Sequence, residues 1–236
     1  MRVVEARGNR KELLERYEAT ADEAAYEAAR SLYVEAIEAG ANARDLNDYG
    51  YLLECHARNL LRSAVEQYER AIEMDPNWDK PRYQLIGARA GLRESELPIA
   101  VHEKRLAAAP DDIREHRLLA SAYLAAHAFE KARKVIDRGL SMAPDDVMLI
   151  GSRAEVRAET GDPEGALADW RRELELDPDH IGPLYMSAFF LERLGRREEA
   201  METWQKIIDW SASRGYQLDT LWPKQELARL QRVGSG

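Results

Sequence analysis

The groups here that could do chemistry are five histidines, one cysteine and 43 acidic side chains. His56, His102, His116, His127 and His180 never stand in H-E-x-x-H or another close metal-binding pair. Cys55 has no histidine at a spacing diagnostic of an activated thiolate, and it falls on the apolar stripe of its helix, so a buried structural thiol is expected. No G-x-S-x-G, P-loop or G-x-G-x-x-G occurs. The carboxylates lie on predicted helix faces that read as solvated surface rather than as an acid and base pair. Trp170 and Trp204 fall on repeated apolar positions and read as core, while Trp78 and Trp210 sit near segment ends and are expected to be partly exposed. No catalytic residue, cofactor or metal is expected, and any enzyme activity would need groups gathered from distant parts of the chain.

The elements that would position those groups come next. The chain has 236 residues, 45% apolar and 33% charged, enough for a core and too rich for disorder. Its longest apolar runs, such as the one over 186–191, fall far short of the roughly 20 residues that span a bilayer. The first residues carry no apolar leader. A single cysteine excludes an internal disulfide and suits a reducing, cytoplasmic setting. A net charge of −9 disfavours non-specific binding to nucleic acid or an anionic membrane.

Four helix breaks recur at Pro76, Pro110, Pro144 and Pro178, each 34 residues after the last. Rows of 34 counted from Asp45 align much more. Ala64, Pro98, Ala132, Ala166 and Ala200 hold one position, and Tyr68, His102, Ile136, Trp170 and Trp204 follow four residues later. Ile72, Leu106, Leu140, Leu174 and Ile208 come four later again, on the same helical face. Leu52, Ile86, Ala120, Ala154 and Ala188 recur in the first half of each row. Each row therefore predicts two antiparallel helices joined by a short turn, small residues marking their close approach. His102 stands in a core-facing slot and reads as packing. Row two departs at Pro98, explained either by Ser95 capping a helix with Pro98 in its first turn or by a two-residue slip that lets Ala100 pack.

The stretches AVEQYERAIEMDP, ARKVIDRGLSMAP and ALADWRRELELDP in this period resemble the tetratricopeptide repeat. The resemblance covers residues 45–212 as five units. The 35-residue pentatricopeptide repeat is the near neighbour, disfavoured by the period and the acidic charge. Residues 1–44 read as a degenerate helix pair, roughly Asn9–Ala19 and Asp22–Ala39. Residues 213–236 read as a loop, a capping helix at about 221–231 and a flexible tail. Trp222, Leu227 and Leu230 are expected to be that helix's buried residues. The expected fold is all-α, with about thirteen helices.

The resemblance implies a right-handed superhelical solenoid whose first helices line a concave groove for a partner protein or peptide. Groove positions would hold Tyr49, Leu53 and His56, then Lys80, Tyr83 and Gln84, then Arg114, Arg117 and Ser121. Met148, Ser152 and Glu155 follow, and Tyr185, Met186, Phe189 and Glu192 complete the set. Lys80, Arg114 and Arg117 together would suit an acidic segment. The family's chaperone-binding members carry a clamp of Lys, Asn, Asn, Lys and Arg. Only fragments stand here, with Tyr49, Leu53, Gln84, Arg114 and Leu118 at those positions. The expected function is a non-enzymatic scaffold or adaptor, the alternative an accessory or regulatory subunit whose site forms only with an enzyme partner.

Overall fold

The computed structural model describes residues 2–40, 42–214 and 221–233, the side chains of 2–8 and 233 excepted. Among the described residues there are twelve α-helices and no strand: α1 Arg2–Thr20, α2 Glu23–Glu38, α3 Ala43–Met74, α4 Lys80–Gly91, α5 Glu96–Ala108 and α6 Ile113–Ala125. They continue as α7 Phe129–Met142, α8 Val147–Thr160, α9 Pro163–Leu176, α10 Gly182–Arg193, α11 Arg197–Ser213 and α12 Leu221–Val233. Their contacts divide the chain into two compact units, Met1–Ser95 and Glu96–Gly236.

Helix starts follow from short polar side chains that satisfy free backbone N–H groups. Asp112 accepts from the amides of Arg114 and Glu115, and Asp146, one period later, accepts from Leu149. Asn42 caps α3 and Asp162 caps α9 in the same way. Turns between paired helices follow a second periodic device. Arg93, His127, Gly161 and Gly195 all adopt positive φ, and they too are spaced by 34 residues. This left-handed residue reverses the chain within one step.

Row one lacks the device, which corrects the expected count of thirteen helices. The register position of the left-handed residue is Asn59, and that of the cap residues Asp162 and Arg196 is Leu60. Leu60 offers no side-chain cap, but neither do Ala128 before α7 and Arg196 before α11, so what sets row one apart is that Asn59 stays helical instead of adopting the left-handed conformation. The two predicted helices of row one run on as a single 32-residue α3.

In the first unit, α1, α2 and the first half of α3 enclose Tyr17, Ala25, Tyr26, Ala29, Tyr33, Leu52 and Cys55. Arg10 reaches the buried Asp45 at 3.1 Å from across that core. The second half of α3 packs on α4, with Leu61 so close to Gly91 that a Cβ there would meet it at 3.0 Å. In the second unit, Ala132, Ala166 and Ala200 are each 0% exposed at the helix crossings, beside buried Ile136, Trp170 and Trp204. Pro98 lies in the first turn of α5 and is buried, and Ala100 is exposed, so row two keeps the common register. His102 is buried as read, but it also binds Glu115 on α6, Nδ1 to Oε2 at 2.7 Å.

The terminal helix α12 docks on row five. Leu230 is buried against Trp204 and Ile207, with Leu227 beside it. Arg197 on α11 donates to the Leu230 carbonyl at the end of α12, where a cation also complements the helix dipole. Trp222 corrects the expectation. It is 47% exposed, and Pro223 takes the buried place in the first turn.

Candidate functional site

In the second unit the first helices of rows three to five are α6, α8 and α10. Arg114, Arg117 and Ser121 on α6 are each partly buried. Arg117 is not a loose cation. Its Nε lies 2.8 Å from Asp146 Oδ2, and its Nη2 donates to the same oxygen. Asp146 is buried and also caps α8, so this pair ties α6 to the start of the next row. On α8, Met148 is exposed and Ser152 partly buried.

Two carboxylates mark the middle of this stretch. Glu155 is open to solvent, yet surrounding protein withdraws enough water to push its carboxyl up, with Glu159 adding to the effect. Glu173 on α9 is buried, and burial lifts its carboxyl to about 7, with Glu155 and Asp177 contributing. The His180 Nδ1 lies 3.0 Å from its Oε1. Gly151 makes room for Glu173, since a Cβ there would sit 2.7 Å from Oε2. Asp169, also buried, is held by Arg153 and Arg157 from α8, at 2.8 and 2.7 Å.

At row five the face turns aromatic. Phe189 is exposed, its ring 5.1 Å from Trp204 and 5.4 Å from Trp222. Tyr185 stacks on Trp222 at 5.8 Å with planes 12° apart. The cluster is fixed by acids. Trp204 Nε1 donates to Glu192 at 2.7 Å, Trp222 Nε1 donates to Glu226 at 3.2 Å, and Arg229 on α12 binds both glutamates. Trp222 is thus part of this surface, a role the periodicity did not reveal because α12 lies outside the repeats.

The remaining candidates lie in the first unit. Lys80 and Gln84 are exposed on α4, with Tyr83 partly buried between them. His56 and Tyr49 belong to the core side of α3. His56 stacks on Tyr26 at 3.7 Å and meets the Tyr17 hydroxyl at 2.9 Å, and Tyr49 packs near Tyr33 at 5.7 Å. Among the described residues no group of three histidine, cysteine or acidic side chains is arranged to hold a metal, and no helix is long and apolar enough to cross a membrane. An open hollow of about 470 Å³ lies at the α10–α11 turn, lined by Arg196, Arg197 and Met201, and none of the candidate residues lines it.

No protein-family model matches the sequence. No curated protein matches it either. Solved structures do. A thermophilic tetratricopeptide repeat protein of Thermus thermophilus is 20% identical, with a TM-score of 0.57 over 76% of this chain and 94% of that one. A chain of the APC/C hetero-tetramer Cut9–Hcn1 is 13% identical, with a TM-score of 0.53 over 89% of this chain and 42% of that one. A tetratricopeptide repeat protein from Parabacteroides merdae is 13% identical, with a TM-score of 0.49 over 94% and 93%. The chain has the tetratricopeptide-repeat fold.

Proposed function

We propose that this chain is a non-catalytic cytoplasmic scaffold that holds a partner protein or peptide segment against the first helices of rows three to five, α6, α8 and α10. One observation carries the reading. In rows three to five the large apolar side chains that stay exposed on helices are Met148, Met186 and Phe189, on α8 and α10, whereas α7, α9 and α11 expose none among the described residues. In these three rows the exposed apolar groups keep to the first helices, although α5 of row two exposes Leu97 and Val101, and such a concentration marks a contact surface. The aromatic cluster of Tyr185, Phe189 and Trp222 supplies rigid contact area at one end. Arg114 and Ser121 on α6 offer a polar, cationic stretch for an acidic part of the partner.

The test is an affinity capture from the native cell with three baits. Wild type and Lys134→Glu, on the opposite-class helix α7, should retain the same partner. The double variant Met186→Glu, Phe189→Glu should lose it while keeping its helical content. Loss by Lys134→Glu with retention by the double variant would overturn the reading.

A further inference from the structure

His56, expected on the partner face, is instead enclosed by α1, α2 and its own helix α3. On α1, the Tyr17 hydroxyl lies 2.9 Å from its Nδ1. On α2, the Tyr26 ring stacks on the imidazole at 3.7 Å with planes 4° apart. The hydrogen-bond directions around Tyr17 follow from its other neighbour. Arg62 donates to Asn59 Oδ1 at 3.2 Å, which turns the nitrogen of that amide towards α1. Asn59 Nδ2 then donates to the Tyr17 oxygen at 3.1 Å. The one hydrogen of the hydroxyl is left for His56, so Nδ1 is the bare, accepting nitrogen of a neutral ring.

A proton on Nδ1 breaks this chain of bonds. Two donors then point at the Tyr17 oxygen, and its own hydrogen has no other acceptor among the described residues. Tyr17 is 1% exposed, so water offers none. The charges around the ring set the counterweight. On α2, Glu23 lies 4.0 Å from Nδ1 and favours an imidazolium, but its side chain is 67% exposed and screened. The face of the Tyr26 ring also tolerates a cation. On α1, the charges beside Tyr17 are taken up, Arg16 by Asp22 and Glu18 by Tyr51. On α3, Arg58 keeps to Cys55 and Glu54. A stranded buried donor costs more than an exposed ion pair returns, so charging the ring opens the contact.

We propose that His56 is an acid-operated latch on α1. Neutral, it accepts from Tyr17 and ties α1 to α3. Protonated, it lets the second half of α1 loosen. A group whose charged form the fold disfavours contributes its stability above its ordinary range, for histidine about pH 6.5, and loses it as pH falls through that range. The latch lies within the first unit and does not depend on the partner face of rows three to five. Hydrogen exchange read by mass spectrometry on the full chain measures it, at about pH 5.5 and about pH 8, corrected for intrinsic rates. Ordinary carboxylates stay ionised across that window. Amides in the second half of α1 should exchange roughly tenfold faster at the lower pH. His56→Gln, whose amide oxygen accepts at every pH, should keep them protected at both. Tyr17→Phe should loosen α1 at both and remove the pH dependence. Equal protection of wild-type α1 at the two pH values overturns the proposal. So does acid loosening that persists in His56→Gln or in Tyr17→Phe.

Discussion

At the same point of the 34-residue register, Gly161, Asp162 and Pro163 break row four into α8 and α9, while Asn59, Leu60 and Leu61 let row one run through as α3. The apolar pattern is the same in both rows, Ala64, Tyr68 and Ile72 against Ala166, Trp170 and Leu174. Periodic burial therefore does not by itself make a hairpin. Three local devices do so in row four: a glycine at φ 88°, an aspartate that accepts from Gly165 N–H, and a proline at the first helical position. Row one has none of them and runs through, each added residue gaining a backbone hydrogen bond without a new nucleus, whereas row three, with His127, Ala128 and Phe129, also lacks all three and turns at the left-handed His127 alone.

Row four closes tightly enough to bury an acid, Glu173, where row one has Ala71. This gives the largest expected effect. Burial, helped by the Glu155 and Asp177 carboxylates, raises Glu173 from its ordinary 4.5 to about 7. A raised carboxyl favours the neutral form in the folded state. Its contribution to stability is complete below about pH 4.5 and is lost as pH rises through 7. Glu173→Gln keeps a neutral group at every pH. Urea melts should match wild type near pH 4 and exceed it at pH 8 by up to about 3 kcal/mol. Parallel curves across that range would show that the closed hairpin does not strain this acid.

The next effect tests the closure directly. Ala166 is 0% exposed at the α8–α9 crossing, so Ala166→Leu should cost about 1–3 kcal/mol by overpacking. An unchanged urea midpoint would place the crossing elsewhere. Smaller still is the turn itself. Gly161→Ala puts a Cβ on a left-handed residue and should cost about 1 kcal/mol, read as a lower thermal midpoint.

The proline register and the recurring alanines made the helix pairs of rows three to five legible in the sequence. What stayed hidden depended on distances that periodicity does not encode. Arg117 read as a free groove cation, but its partner Asp146 stands on the next row's first helix and meets it only when α6 and α8 stack. Trp222 read as core because the rotation of α12 is set by docking, through Pro223, Leu230 and Arg197, and not by the 34-residue register. The fusion of α3 was hidden for a different reason. Asn59 tolerates the left-handed conformation, so its presence is compatible with a turn, and an uncapped neighbour does not decide the matter, since α7 and α11 also start without a side-chain cap.

The sharpest form of the comparison puts one substitution at equivalent positions and asks for opposite signs. Arg93 and His127 occupy the left-handed turn position without being glycine, at φ 63° and 54°. That conformation crowds a Cβ against the following carbonyl, a strain glycine does not feel. Arg93→Gly and His127→Gly should each raise stability by about 0.5–1 kcal/mol, after the larger unfolded-state entropy of glycine is subtracted. The gain should be the smaller at 127, because the His127 ring also packs edge-on against Phe129 at 5.8 Å. At Asn59 the same change should lower stability by about 1 kcal/mol. There the residue is inside a helix, where glycine is unfavourable, and its side chain donates to the Tyr17 hydroxyl at 3.1 Å. Thermal melts of the three variants measure the signs side by side. A stabilising Asn59→Gly would mean that row one turns at this position after all, and that α3 is two helices.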